Sequence, residues 1–270
     1  MTDEAKEGSD ALPFPTVRAN LPPLSALTWL AKGWDDLKAC GNASIFYGAC
    51  FACMGWLLVL TFSQAVQLMS GVTAGFMLVG PFLAIGLYAL SRQRENGETI
   101  RLRPTLTAWR TTRGAIGVYS LILIIIYLVW ARASMVAFAL FYEGSMPSIE
   151  GFIGALLKFE DLEFFGVYTL IGGFFAAFVF ALSVVSVPLM LDRDQDAVTA
   201  MIASVLAMGR NLPAVLIWAA LIATLILAGT LTGFLGMVIT GPLVGHASWH
   251  AFRALVEPLP ASPPAIPASE

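Results

Sequence analysis

Six stretches of this chain are apolar over about the 20 residues that a helix needs to cross the hydrocarbon core of a bilayer. No other feature narrows the fold so far. In lipid the backbone finds no water to bond, so each stretch must satisfy its own amides as a helix. The expected spans are Ala43 to Met69, Gly71 to Leu90, Ala115 to Tyr142, Gly166 to Leu191, Leu212 to Ala228 and Leu231 to Phe252. Composition agrees: 58% of the 270 residues are hydrophobic and 12% are charged, against roughly 25% charged in soluble domains. The fold class that follows is all-α, a polytopic membrane helix bundle of six spans arranged as three hairpins.

Charge sets the orientation. The segment Ser91 to Arg113 holds Arg92, Arg94, Arg101, Arg103, Arg110 and Arg113 against Glu95 and Glu98. By the positive-inside rule it faces the cytoplasm, and an even number of spans then puts both termini there. Nearly every Lys and Arg falls on that side, the exceptions being Lys158 in the acidic loop Glu143 to Glu163 and Arg132 within the third span. Arg132 lies about 25 Å along its helix from the inner end, which predicts snorkelling to the outer headgroups beside Trp130. The first twenty residues carry Asp3, Glu4, Glu7 and Asp10 and no apolar run, so the first span is expected to act as its own insertion signal. A net charge of -3 argues against a nucleic-acid partner.

Two amphipathic segments flank the spans. Leu24, Leu27, Leu30, Trp34 and Leu37 form one stripe with Lys32, Asp35, Asp36 and Lys38 off it. Either this helix lies in the membrane interface or it packs on the bundle. Asp196 is placed to cap a second such helix, with Val198, Met201, Ile202, Val205 and Leu206 on one face. Gly151 to Phe159 is expected to form a short surface helix. The proline-bearing residues 1–23 and 257–270 read as disordered tails around a membrane domain of 24–256.

Gly80 to Arg92 aligns without a gap on Gly241 to Arg253. Gly80-Pro81 matches Gly241-Pro242, Tyr88 matches Trp249, and Arg92 matches Arg253. Pro81 and Pro242 each remove a backbone donor and predict a kink. Gly71 and Gly75 predict close helix approach. A weaker third copy ends at Asp192-Arg193, giving pseudo-repeats 24–92, 104–193 and 197–253, each an interfacial helix followed by a hairpin.

The only two histidines, His246 and His250, stand four apart on one helical face. They suggest a metal pair, with Asp192 as a possible third ligand. The alternative is structural: the histidines bond neighbouring helices, Trp249 sits at headgroup depth, and Arg253 reaches a phosphate or an aspartate. Cys50 and Cys53 form C-x-x-C inside an apolar helix with no strand beside it, which reads as packing. No cofactor fingerprint, nucleophile constellation or phosphate loop is present, so neither a cofactor nor a catalytic residue is expected.

Gly33-Trp34-Asp35-Asp36, Gly80-Pro81, Gly86-Leu87-Tyr88, Ser91-Arg92, Ser186-Val187-Pro188, Leu191-Asp192-Arg193 and the ending Gly245-His246-Ala247-Ser248-Trp249-His250-Ala251-Phe252-Arg253 together resemble a proteobacterial family of uncharacterised integral membrane proteins, a domain of unknown function. The resemblance covers about residues 24 to 256. It implies a bacterial inner-membrane location and six spans, and supplies no established activity. The oxidase-like chemistry attached to some members needs histidines on several helices, and this chain has them on one. The expected role is a non-enzymatic scaffold or accessory subunit of a membrane complex, or a homo-oligomer, in contact with lipid. A small-molecule or lipid transporter, gated at the two Gly-Pro helices, is the alternative.

Overall fold

The computed structural model describes residues 14–64, 69–141 and 162–258. Among these residues every regular element is helical: α1 Ser25–Cys40, α2 Asn42–Gln64, α3 Met69–Glu95, α4 Leu102–Thr105, a 3-10 turn Ala108–Arg110, α5 Arg113–Phe141, α6 Leu162–Ser183, α7 Ser186–Arg193, α8 Ala197–Arg210, α9 Leu212–Leu231 and α10 Met237–Leu255. Among the described residues, four stretches are long and apolar enough to cross a membrane: Asn42–Thr61, Arg113–Phe141, Glu163–Arg193 and Leu212–Leu231. The surface helix expected at Gly151 to Phe159 lies outside the described residues, and the helix approach expected at Gly71 and Gly75 falls on positions whose surroundings are likewise outside the description.

The expected fourth span is not one helix. It breaks at Val184 and Val185 between α6 and α7, because Pro188 has no amide to give the carbonyl one turn earlier. Hydroxyls take over the backbone groups that the break frees. Ser204 donates to Ala181 O at 2.7 Å and accepts from Val185 N at 3.3 Å, while Ser186 donates to Leu182 O at 2.5 Å and lies within reach of Ala200 O at 3.1 Å on α8. The last turn also falls later than Gly229-Thr230. A single glycine costs a helix only about 1 kcal/mol, so α9 runs on to Leu231, and the chain reverses where Gly233 and Phe234 both take φ of 67°. Gly229 serves packing instead, since a Cβ there would lie 2.4 Å from Thr240 Oγ1 on α10.

Asp196 caps α8 as its position predicts, accepting from Thr199 N at 2.9 Å. That hydrogen bond holds its carboxyl below the usual aspartate range.

Both amphipathic helices are turned the other way from a core-facing reading of their bulky residues. In α1 the buried residues are Ala26, Trp29, Gly33, Asp36, Leu37 and Cys40, whereas Leu24, Leu27 and Trp34 of the apolar stripe are exposed. In α8, Ala197, Ala200, Met201, Ala203, Ser204 and Ala207 are buried, and Val198, Ile202, Val205 and Leu206 face outward. Small residues let each helix seat closely on the bundle, which leaves the large apolar ones for a non-aqueous exterior.

The helices that lie on the bundle are distributed cyclically. α1 packs most extensively on α10, α4 and the 3-10 turn pack on α3, and α8 packs on α6 and α7. Residues 14–23, expected to be a free tail, are tied down in their described part. Arg18 N donates to Leu255 O at 2.9 Å, Glu257 N to Thr16 O at 2.9 Å, and Asn211 Nδ2 to Arg18 O at 2.7 Å. Val17 at 5% and Val256 at 2% exposure fill the bridge, so enough apolar surface is buried there to hold the segment.

Candidate functional site

The histidine helix α10 is the hub of the bundle, flanked by α1, α2, α3 and α9. Its own small residues and those opposite make this possible. A Cβ at Gly33 of α1 would lie 2.6 Å from Ala247 N, one at Gly48 of α2 would lie 2.1 Å from Val238 O, and one at Gly245 would lie 2.4 Å from Leu87 of α3. Real Cβ atoms do not approach so closely, so α10 meets the backbones of α1 and α2 and the Leu87 side chain of α3 only because these three positions lack a side chain.

Such close approach brings polar groups from four helices together. His246 is fully buried. Its Nδ1 pairs with Ser91 Oγ of α3 at 2.7 Å and its Nε2 with Ser44 Oγ of α2 at 2.8 Å. One turn on, His250 Nε2 lies 2.9 Å from Asp36 Oδ2 of α1, and Arg94 of α3 donates to Asp36 Oδ1. Asp36 is 3% exposed. Burial by itself would raise its carboxyl pKa, but the hydrogen bonds from His250, Ser91 and Arg94 outweigh it and hold Asp36 below the ordinary aspartate range.

A second cluster closes the same end. Arg253 grips Asp192 through Nη1 at 2.9 Å and Nη2 at 3.1 Å, and its Nε donates to Glu95 Oε2 at 3.0 Å. Trp249 Nε1 donates to that same Glu95 oxygen at 2.9 Å. The guanidinium stands 4.8 Å above the Trp249 ring, whose other neighbour is Tyr88, stacked at 6.4 Å between centroids. Arg92 donates to Leu191 O at 3.0 Å, and Arg193 donates to Glu257 O. Tyr88 and Trp249, matched in the sequence alignment of the two Gly-Pro helices, are therefore in direct contact.

Of the residues singled out in the sequence, His246, His250, Trp249, Arg253, Tyr88, Arg92, Asp192 and Arg193 fall into these two clusters, and Arg253 meets an aspartate, one of the two partners expected for it. Asp192 does not approach the histidine pair; it is bound to Arg253, and the carboxylate at His250 is Asp36. Among the described residues, no three or more His, Cys, Asp and Glu side chains are grouped to hold a metal ion. Cys40 is buried, Cys50 half-buried and Cys53 exposed, and all three are free thiols. Cys53 lines an apolar groove with Trp56, Leu57 and Leu235. Arg132 lies on the outward surface of α5 with Val129, Met135 and Val136. Pro81 and Pro242 both sit inside their helices. The two glycines before them differ: a Cβ at Gly241 would lie 3.1 Å from the Phe51 ring, while Gly80 has open space.

Asp36, Ser44, Ser91, Arg94 and Glu95 complete the clusters, and the sequence did not single them out as partners. Lys32 stands one helical turn before Asp36, so the sequence offers that carboxylate an ordinary surface pairing and no signal of burial.

No curated protein and no solved structure matches the chain. Residues 68–192, which take in α3, α5, α6 and nearly all of α7, match the model of the family described as Predicted integral membrane protein (DUF2189), a family of unknown function.

Proposed function

We propose that this chain is a six-span protein of a bacterial inner membrane, with both termini in the cytoplasm, and that it works as a non-catalytic scaffold or accessory subunit. The observation that carries the role is what the histidine motif does. His246, Trp249, His250 and Arg253 each spend their polar atoms on a residue of another part of the fold, namely Ser44 and Ser91, Glu95, Asp36, and Asp192. A motif used in this way joins helices and offers little to a substrate. Bundles of this kind present stable lipid-facing surfaces on which other membrane chains assemble.

α3 and α10 supply the fifth and sixth spans on this reading, beside the four apolar ones. Support for three repeats, 24–92, 104–193 and 197–253, comes from the cyclic seating of α1, α4 and α8 on the helices of the preceding unit. Support for the orientation comes from the clustering of Arg92, Arg193, Arg210 and Arg253 at the end where residues 14–23 meet Leu255 to Glu257. The transporter alternative needs a path between the two Gly-Pro helices. That seam is filled where Leu87 meets Gly245 and Tyr88 stacks on Trp249.

Reporter fusions at the two ends should give the same cytoplasmic readout, and opposite readouts would break the six-span arrangement. Purification from native membranes in mild detergent should recover the chain with a second membrane protein or as a defined oligomer. Recovery of a lone monomer would remove the scaffold reading.

A further inference from the structure

A groove of about 490 Å³ runs between the start of α5 and the start of α8. Thr112, Gly114, Ala115 and Val118 line one wall, and Asp194, Asp196 and Val198 belong to the other. Four observations set it apart from the apolar grooves elsewhere. First, its lining carries two carboxylates and no lysine or arginine, so it favours a cation or an N–H donor. Second, Thr112 is 3% exposed, and its hydroxyl is a buried polar atom with no partner among the described residues. A buried hydroxyl left in this state normally has a ligand or a water.

Third, α5 is a 29-residue helix whose first turn opens on the groove, and Gly114 there has nothing within 4 Å of where a Cβ would be, so an anion can reach the first amides. The corresponding position of α8 is already occupied by the Asp196 carboxylate, bonded to Thr199 N. Fourth, the apolar floor of Ala115, Val118 and Val198 continues into the outward faces of α5 and α8, where Val118 is 48% and Val198 55% exposed. A ligand seated there has one polar end and extends into lipid.

We infer that this groove binds the headgroup of a zwitterionic phospholipid bearing a primary ammonium, with phosphate at the first turn of α5 and the Thr112 hydroxyl, and the ammonium at Asp194. Negative and positive ends of one headgroup then answer the helix terminus and the carboxylate in turn. A quaternary ammonium has no N–H to donate to Asp194, and a glycerol headgroup has no charge for it. The inference requires the helices to sit in a membrane and is independent of the scaffold role.

The test is native mass spectrometry of the full chain, delipidated in detergent and titrated separately with phosphatidylethanolamine, phosphatidylcholine and phosphatidylglycerol. Retention of the ethanolamine lipid about tenfold above the other two is expected, which is the worth of one charge-assisted hydrogen bond. Asp194→Asn, at an exposed position, should abolish that preference. Thr112→Val should weaken binding of all three lipids, and Thr112→Ser should restore it. The control Asp35→Asn, on α1, should leave the preference intact. Equal retention of the three lipids overturns the proposal. So does a preference that survives both Asp194→Asn and Thr112→Val, because the lipid is then held elsewhere.

Discussion

Gly48→Ala lowers the stability of the protein in detergent by about 3 kcal/mol, at the upper end of what overpacking costs. The added methyl would lie 2.1 Å from Val238 O, 2.6 Å from its carbonyl carbon and 2.7 Å from its Cα. All three are backbone atoms, so no side-chain rotation relieves the clash. α2 and α10 must separate, and the pairing of Ser44 with His246 lies on the same seam, four residues before Gly48. Gly33→Ala should act alike, since its methyl would meet Ala247 N at 2.6 Å. Gly117→Ala is the matched control: that glycine lies inside α5 with nothing within 4 Å, and alanine there should be neutral or stabilising by up to about 1 kcal/mol. Thermal unfolding of the three variants in one detergent checks this. Equal midpoints for Gly48→Ala and Gly117→Ala would mean that α2 and α10 are not in backbone contact.

Asp36→Ala is expected to cost about 2 to 3 kcal/mol, because it strips the partner from His250, Arg94 and Ser91 at once. Arg94 keeps 38% of its side chain in solvent and can turn outward, which places the cost below that of a fully enclosed pair. A cycle of Asp36→Ala, His250→Ala and the double variant should give a coupling of about 1 to 2 kcal/mol, and additivity would show that the two side chains do not act together. The pH dependence follows from the sign of the shift. Asp36 titrates lower in the folded protein than in the unfolded chain, so its contribution is complete above the ordinary aspartate value of about 3.9 and is lost as pH falls through the folded value. The wild type should therefore lose stability below about pH 4 more steeply than Asp36→Ala does. Parallel acid-unfolding curves would contradict that assignment.

Much of the architecture was legible in the residues because lipid leaves so few options. Long apolar runs had to be helices, and Asp196 had a cap's position and chemistry; Tyr88 and Trp249 were matched only as counterparts in an alignment, and their stacking is seen only in the fold. The sequence misled where a rule made for water was applied. The apolar stripe of α1 left two readings open, one in the membrane interface and one against the bundle, and only the second, the rule for soluble helices, turns Leu24, Leu27 and Trp34 inward and Asp36 outward. With lipid outside, large side chains lose nothing by facing away, and alanines and glycines gain closer contact by facing in. That inversion concealed Asp36, and with it the partner of His250. The break at Val184 was obscured for a different reason: Pro188 signals a lost amide bond, but only the fold reveals that Ser204 and Ser186 stand ready to replace what is missing. Residues 14–23 looked too polar to fold because their binding partners, Asn211 and Leu255, are some 200 residues away in sequence.

That long reach governs how the protein is made. The earliest of the described helices finds its main seat on the latest one, so α1 emerges from the ribosome carrying Gly33 and Asp36 without that seat until α10 has been made. Contacts this distant in sequence form slowly and late. The intermediate in the meantime displays an unmatched carboxylate and an open small-residue groove, which is the kind of surface that membrane insertases and quality-control proteases recognise.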